Sequence, residues 1–367
     1  MANMKDYFEW RGDIPITVDG INEIDGAIFS IIAYFDFSVE LEGRDEIGLK
    51  DASASYMKRG EIDIRKNKLN KMAAGVYRAA GKSKRFGKLT VSDYEEIFDA
   101  EKKVQFGAVT FTIDENTHFV AFRGTDDSIV GWAEDFELCY KMPVPSQVEA
   151  ERYLKHIAEK YSGKIYVGGH SKGGNLAIYS SFRQSQEIKK RIAKIYNYDG
   201  PGFLQPVIES EEYLSIVDKI CTYMPQESMV GIIMFHGEKI NIVKCEEKGI
   251  IQHQPETWML CGTRFIYEKT FKNKSVIIND MCNKWLTRID EKKRETFIIT
   301  LFGILQEENA DTFTELSFDW FNNAKSAFHN YRSLDKETKD MIRETLKEME
   351  KLGKTSLTKR RRNKTPV

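Results

Sequence analysis

The chain has 367 residues, of which 41% are hydrophobic and 30% charged, and its formal net charge is −1. This composition is typical of a globular protein with room for one large α/β domain or two domains. A nearly neutral chain has no general attraction for nucleic acid, so we expect no nucleic-acid partner. The sequence has no apolar run of roughly 18 residues that could cross a membrane, and its first residues do not resemble a secretory signal.

The cysteines and histidines favour a cytoplasmic protein without a metal. Five cysteines are widely spaced and none forms a C-x-x-C pair, which is typical of reduced thiols. Six histidines are scattered without the spacing of zinc ligands. The sequence therefore predicts no metal and no cofactor.

The N-terminal region combines one apolar helix with a charged, irregular stretch. Apolar residues recur at helical spacing over residues 24–35, and Asp19 is the predicted cap of this helix. Residues 40–100 are a candidate cap over an active site. Within them, residues 92–95 have the form of a capping box, which predicts a short helix.

The middle of the chain alternates between strand and helix patterns. The β-rich runs 107–113 and 118–122 predict a hairpin, and a helix with an apolar face follows over residues 146–161. Strand patterns then recur as far as residue 245. Strands that alternate with helices favour an α/β fold with a mainly parallel sheet and helices on both faces.

Three segments follow from these patterns. Residues 1–267 are predicted to form the α/β domain. Residues 268–352 are strongly charged and nearly free of glycine and proline, so they are predicted to form a C-terminal helical extension. Residues 353–367 end the chain as a basic tail that is expected to be disordered. The fold thus carries helical additions at both ends.

The run from Lys164 to Ile178 contains Gly-x-Ser-x-Gly between a β-rich segment and an apolar helical pattern, which is the sequence form of a nucleophile elbow. We expect Gly169 and Gly173 to flank Ser171 because a side chain there would strike the neighbouring strand or helix. Ser171 is therefore the candidate nucleophile. The alternative is a phosphate-binding turn, but the run lacks the glycine spacing of the known phosphate loops.

A serine hydroxyl needs a base, and the base needs an acid that orients it. His253 follows the last strand pattern and is the preferred base, whereas His236 precedes that strand and is interpreted as a surface or packing histidine. Asp199 and Glu227 each follow a strand, where sites form in parallel sheets. Asp199 is preferred as the acid, and Glu227 stays open as the alternative.

Two backbone amides are candidates to hold an oxyanion. Lys172 opens the helix after Ser171, and Thr125 follows a predicted strand and the turn residue Gly124. A helix N-terminus and a strand-exit turn that meet at one serine would supply two donors.

The sequence resembles the class 3 lipases at two motifs. Phe122-Arg123-Gly124-Thr125 followed by Trp132-Ala133-Glu134-Asp135 resembles their F-R-G-[ST] … W-x-x-D signature, and residues 169–177 resemble their G-H-S-x-G-G-x-L-A elbow. The resemblance covers roughly residues 105–260. Three further segments resemble a bacterial branch of lipase-like proteins, namely residues 7–13, 199–203 and 252–253.

The resemblance implies an α/β-hydrolase fold and a serine esterase or lipase activity. It implies Ser171 as the nucleophile, with Thr125 and Lys172 as oxyanion donors. One departure concerns the acid, because class 3 lipases carry it in K-x-D-x-V-P and this chain has Ser228 in its place. Either Glu227 serves as the acid, or the acid is Asp199, which follows the preceding strand.

Two functions are therefore in view. The first is a cytoplasmic serine hydrolase that acts on carboxylic esters, including acyl lipids, through an acyl-enzyme on Ser171, with a transient membrane-surface contact as a further candidate property. The alternative is a non-catalytic binding module on the same scaffold, which the displaced acid motivates. The acyl chain length, the leaving group and the oligomeric state stay open.

Overall fold

A computed structural model describes residues 2–59, 68–99, 101, 104–125 and 134–306, together with six isolated positions between residues 336 and 347. The described residues include one eight-stranded sheet and one two-stranded sheet. Helices flank the large sheet, and four of its seven strand pairings are parallel. The predicted α/β class with a mainly parallel sheet is confirmed.

The strands of the large sheet are hydrogen-bonded in chain order. They are β1 (Glu46–Gly48), β2 (Thr90–Asp99), β3 (Val104–Asp114), β4 (Thr117–Phe122), β5 (Lys164–His170), β6 (Ile192–Tyr198), β7 (Ile220–Pro225) and β8 (Ile240–Val243). The pairings from β1 to β4 are antiparallel, and those from β4 to β8 are parallel. The small sheet pairs β9 (Leu260–Cys261) with β10 (Arg264–Phe265).

The helices lie before the sheet, in its crossovers and after it. They are α1 (Met4–Arg11), α2 (Ile16–Asp19), α3 (Glu23–Ile32), α4 (Leu49–Arg59), α5 (Lys68–Lys82), α6 (Pro145–Lys160), α7 (Lys172–Phe182), α8 (Gln186–Arg191), α9 (Gln205–Ile208), α10 (Glu211–Leu214), α11 (Asn273–Arg288) and α12 (Glu291–Gln306). α6 connects β4 to β5, and α7 with α8 connects β5 to β6. These connections are the crossovers that parallel strands require.

The central strands bury both of their faces. In β4, Phe119 and Ala121 contribute to the core that contains α3 and α5, whereas Val120 and Phe122 contribute to the core that contains α6 and α7. This division follows from the alternation of side chains along a strand. Because both faces are covered, the functional groups that the chain can present to a ligand collect at the ends of the strands.

A buried ion pair joins the N-terminal helices to the turn after α5. The Arg85 guanidinium donates to both carboxylate oxygens of Asp25, at 2.7 Å from Nε to Oδ1 and 2.5 Å from Nη2 to Oδ2. It also donates to Asp19 at 2.9 Å, and the Tyr7 hydroxyl donates to Asp25 at 2.7 Å. Arg85 and Asp25 are fully buried at their side chains. One guanidinium therefore holds α1, α2 and α3 together.

The predicted cap of the apolar helix is wrong by three residues. α3 begins after Asn22, whose Oδ1 accepts from the amides of Ile24 and Asp25. Asp19 instead belongs to the ion-pair cluster around Arg85. A buried guanidinium is a stronger partner for a carboxylate than a helix terminus is.

The helix predicted for residues 92–95 is also wrong. These residues belong to β2, which pairs with β3 over its length with an irregularity between Ser92 and Glu95. Asp93, within that irregularity, has a φ of 52°. The pairing with a long neighbouring strand overrides the local capping signal.

The predicted segments are described to different extents. Within residues 40–100, β1 and β2 extend the large sheet, and a cap role for this region stays a prediction. α11 and α12 lie in the predicted C-terminal extension, and their apolar residues pack with Leu138, Cys139 and Met234. Most of residues 307–352 and the predicted basic tail over residues 353–367 lie outside the described residues.

We expect Arg85→Met to lower the free energy of unfolding by about 3–5 kcal/mol, because the substitution leaves the buried Asp25 carboxylate without its partner. Arg152→Met is the matched control, since Arg152 is 48% exposed and pairs with Glu149 at the surface. It should change the same free energy by less than about 1 kcal/mol. Urea unfolding followed by tryptophan fluorescence measures both, and equal shifts would contradict the structural role of Arg85.

Candidate active site

Ser171 lies in the bend between β5 and α7. Its φ of 56° and ψ of −133° belong to a region that residues with side chains rarely adopt. Close packing imposes this conformation. A Cβ on Gly169 would lie 2.2 Å from the carbonyl carbon of Gly173, and one on Gly173 would lie 2.2 Å from the Phe122 carbonyl oxygen. The flanking glycines are thus required for the steric reason that the sequence predicts.

Lys172 is the first residue of α7. The first amides of a helix have no partner within the helix and favour negative charge nearby. The Lys172 side chain is fully buried, and its Nζ donates to Glu134 Oε2 at 2.7 Å and to the Gln105 carbonyl at 3.0 Å. Since the ammonium is engaged in this ion pair, the backbone amide is the group of Lys172 that an oxyanion could use.

The loop after β4 packs against the elbow. A Cβ on Gly124 would lie 3.1 Å from the Ser171 Cβ. The next residue, Thr125, donates its hydroxyl proton to Asp135 Oδ2 at 2.6 Å, which leaves its amide as the candidate oxyanion donor. Burial raises the pKa of Asp135 to about 6, although the Lys172 ammonium acts in the opposite direction. Trp132 and Ala133, which belong to the same sequence signature, lie outside the described residues.

His253 and Asp199 are hydrogen-bonded to one another. His253 Nδ1 lies 2.7 Å from Asp199 Oδ2, and the Asp199 side chain is fully buried. Asp199 follows β6 with a φ of 52°, a left-handed conformation that aspartate tolerates better than most residues. A carboxylate can only accept, so Nδ1 of His253 is the donor to Asp199, and Nε2 is the ring nitrogen left to face a ligand.

Two further donors hold the other oxygen of Asp199. The Ser228 hydroxyl donates to Oδ1 at 2.5 Å, and the Gly231 amide donates to the same oxygen at 3.2 Å. The Glu227 carboxylate instead accepts from the Gly249 amide at 3.5 Å. Asp199 therefore contacts His253, whereas the Glu227 carboxylate contacts the Gly249 amide. Ser228 therefore supports the aspartate that follows β6.

His170, the residue before Ser171, holds the backbone of His253. Its Nε2 lies 2.7 Å from the His253 carbonyl and its Nδ1 lies 2.9 Å from the Tyr34 hydroxyl. A carbonyl only accepts, so Nε2 carries the proton and Nδ1 accepts from Tyr34. Burial, together with the nearby His253, lowers the pKa of His170 well below its ordinary value. The sequence analysis assigned no role to His170 or Tyr34.

His170, which precedes Ser171 in the chain, also packs against the His253 ring. The ring centroids of His170 and His253 are 4.4 Å apart, and Ser171 is 6% exposed. Ser171 Oγ makes no hydrogen bond with another described residue. In ligand-free enzymes the contact between nucleophile and base is often long and tightens when substrate binds.

Glu256 is a second buried carboxyl group close to His253. Burial raises its pKa to about 7, and the nearby His253 lowers it by a smaller amount. Its Oε2 has no hydrogen-bond partner within the described ranges. No sequence pattern points to Glu256, because a glutamate after proline in a loop is ordinarily exposed. No group of three or more potential metal ligands occurs among the residues that the structure describes.

We expect Glu256→Gln to stabilise the protein at alkaline pH. A carboxyl pKa that folding raises makes the fold lose stability as the pH rises from the ordinary value through about 7. The substitution should therefore raise the free energy of unfolding by about 1–3 kcal/mol near pH 9 and leave it nearly unchanged near pH 4. Urea unfolding at both pH values measures the effect. Glu159→Gln, at a side chain that is 64% exposed, is the control and should show no such pH dependence.

Similarity to solved structures is distant. The chain aligns over 52% of its length with the Rhizomucor miehei lipase propeptide complex, at 16% identity and a TM-score of 0.32 for the native form. A deletion mutant of the same complex gives 17% identity and a TM-score of 0.34. The aligned region spans 64–65% of those lipase chains. No curated protein sequence gives a significant match.

A family model matches more than half of the chain. The match covers residues 80–303, from the end of α5 to α12, and so includes the elbow, Asp199 and His253. The matched family is lipase-like. In the part of the chain that the structure describes, no helix is both long and apolar enough to cross a membrane. The extent of the match shows that the chain belongs to the Mbeg1-like family.

Proposed function

We propose that this protein is a serine hydrolase that cleaves carboxylic esters, including acyl lipids, on an α/β-hydrolase fold. The observation that carries the proposal is the 2.7 Å hydrogen bond between His253 Nδ1 and Asp199 Oδ2 beside the strained bend at Ser171. A nucleophile, a base and an orienting acid are the three groups that acyl transfer to serine requires. Membership in a lipase-like family supports the same reaction class.

In the proposed reaction, the Ser171 hydroxyl attacks the ester carbonyl while His253 Nε2 takes its proton. The negative charge that develops on the carbonyl oxygen is held by the amides of Thr125 and Lys172. The tetrahedral intermediate collapses, the alcohol leaves with the proton from His253, and an acyl group stays on Ser171. Water, deprotonated by the same imidazole, then releases the carboxylic acid.

Asp199 has two roles in the proposed reaction. It keeps the proton of His253 on Nδ1, and it stabilises the imidazolium that forms during the attack. Three donors support it, since Ser228, Gly231 and His253 all direct hydrogen atoms at its two oxygens. A carboxylate held in this way keeps one orientation, which makes Asp199 a better candidate than Glu227.

The narrower relationship to class 3 lipases belongs to the same proposal. Its support is the pair of motifs at residues 122–125 and 169–177, whose residues meet around Ser171. A cytoplasmic location is also proposed and agrees with five free cysteines. Transient contact with a membrane surface would suit an acyl-lipid substrate, and the absence of a nucleic-acid partner stays a prediction.

We expect a fluorophosphonate probe to label the wild-type protein and to leave Ser171→Ala unlabelled. Asp199→Asn should be labelled about 10²- to 10⁴-fold more slowly, because asparagine favours the wrong tautomer of His253. The rate of labelling, followed by fluorescence of the denatured protein in a gel, measures both effects.

Glu227→Gln is the matched control and should be labelled at the wild-type rate. If Glu227→Gln is slow and Asp199→Asn is fast, the assignment of the acid is wrong. A folded wild-type protein that does not react with the probe, and turns over no short-chain p-nitrophenyl ester, would instead favour the non-catalytic binding module.

A further inference from the structure

His236, which the sequence suggests only as a surface or packing histidine, is buried between two hydrogen-bond acceptors. Its Nδ1 lies 2.9 Å from Glu238 Oε1, and its Nε2 lies 2.7 Å from the Gly231 carbonyl oxygen. The side chains of His236 and Glu238 are 5% and 1% exposed. A neutral imidazole has one donor and one acceptor, so it cannot satisfy two acceptors at once.

The surroundings of Glu238 show that it is an acceptor. The Thr222 hydroxyl donates to its Oε1 at 2.5 Å, and the Tyr213 hydroxyl donates to its Oε2. Burial opposes ionisation, but the His236 ring and these donors outweigh it and lower the pKa of Glu238 to about 2. An ionised Glu238 cannot donate, so each nitrogen of His236 faces an acceptor. This arrangement favours the imidazolium form of the ring.

Burial also opposes the charge on His236, but the Glu238 carboxylate and the hydrogen bond to Gly231 raise its pKa above the ordinary value. Three titratable groups face the ring or lie near it. They are Glu238 on the same segment, Tyr213 in α10, which bonds to Glu238, and Asp199 after β6. The two carboxylates favour the charged ring.

The imidazolium is connected to the proposed triad through a single residue. Gly231 accepts from His236 with its carbonyl group and donates to Asp199 Oδ1 with its amide at 3.2 Å. A Cβ on residue 231 would lie 2.4 Å from that same oxygen, so the bare backbone approaches the carboxylate directly. Gly231 thus contacts both the His236 ring and the Asp199 carboxylate.

We propose that His236 is a positioning residue whose doubly protonated ring, held by Glu238, fixes Gly231 so that its amide orients the Asp199 carboxylate toward His253. The effect on reaction rate rests on the proposed hydrolase function, whereas the protonation state and the hydrogen bonds do not. With the ring neutral, one of the two buried acceptors would lose its partner, and the Gly231 segment would shift.

The protonation state can be measured on the wild-type protein. With ¹⁵N-labelled histidine, long-range proton–nitrogen correlation spectra report the proton on each ring nitrogen. We expect both His236 nitrogens to be protonated across about pH 6–8, where an ordinary histidine loses its charge. The signal is assigned by its disappearance in His236→Gln, and in Glu238→Gln the ring should lose its second proton at a lower pH than in the wild-type protein. An unprotonated nitrogen on His236 at neutral pH would overturn the proposal.

The positioning role is tested with His236→Gln, because a side-chain amide that directs its nitrogen at one of the two acceptors directs its oxygen, which cannot donate, at the other. We expect labelling by the fluorophosphonate probe to slow by about 10- to 100-fold. We also expect the low-field proton resonance of the bond between His253 and Asp199 to shift. His156→Gln is the matched control at an exposed histidine of α6 and should change neither readout.

The possible results separate this inference from the proposed function. If His236→Gln lowers the thermal midpoint while its folded form labels at the wild-type rate with an unchanged low-field resonance, His236 is merely structural and the inference fails. If the wild-type protein does not react with the probe, the hydrolase proposal fails. A low-field resonance that still shifts in His236→Gln would then support the positioning of Asp199 on its own.

Discussion

The hydrogen bond between His253 and Asp199 joins residues that are 54 positions apart in the chain, and the candidate site depends on it. It can form because β5, β6, β7 and β8 are parallel neighbours whose carboxyl ends share one edge of the sheet. Ser171 follows the first of these strands, Asp199 the second and Ser228 the third. The chain beyond β8 then leads to His253. The order of the strands is thus the constraint that assembles the site.

The candidate orienting carboxylate shows that this edge of the sheet can supply such a group from more than one strand. An orienting carboxylate can follow either β6 or β7, because the ends of both strands lie near the loop that carries His253. In this chain Asp199 follows β6, and Ser228, after β7, donates to it. The position after β7 keeps a role as a hydrogen-bond donor. The serine found where the sequence comparison with class 3 lipases leads one to expect an acid thus has a hydrogen-bonding partner in Asp199.

Local patterns predicted the parts of the molecule that local chemistry determines. The elbow glycines, the hairpin of β3 and β4, and the strands that end near Asp199 and Glu227 are visible because each needs particular residues at short spacing. Contacts between distant segments were not predictable. The capping box at residues 92–95 lies in a strand because β3 pairs with it. In the sequence His236 and His253 are both loop histidines flanking β8, and only the partners that surround each ring distinguish their roles.

The proposed reaction requires an acyl group on Ser171, and trapping this acyl-enzyme is its most direct test. The protein would be mixed with a p-nitrophenyl ester, quenched in acid within the first turnover and examined by mass spectrometry of its peptides. The account predicts a burst of p-nitrophenol close to one equivalent per chain and an acyl group on the peptide that contains Ser171. Ester turnover with no adduct on that peptide, or with the adduct on another residue, would contradict it.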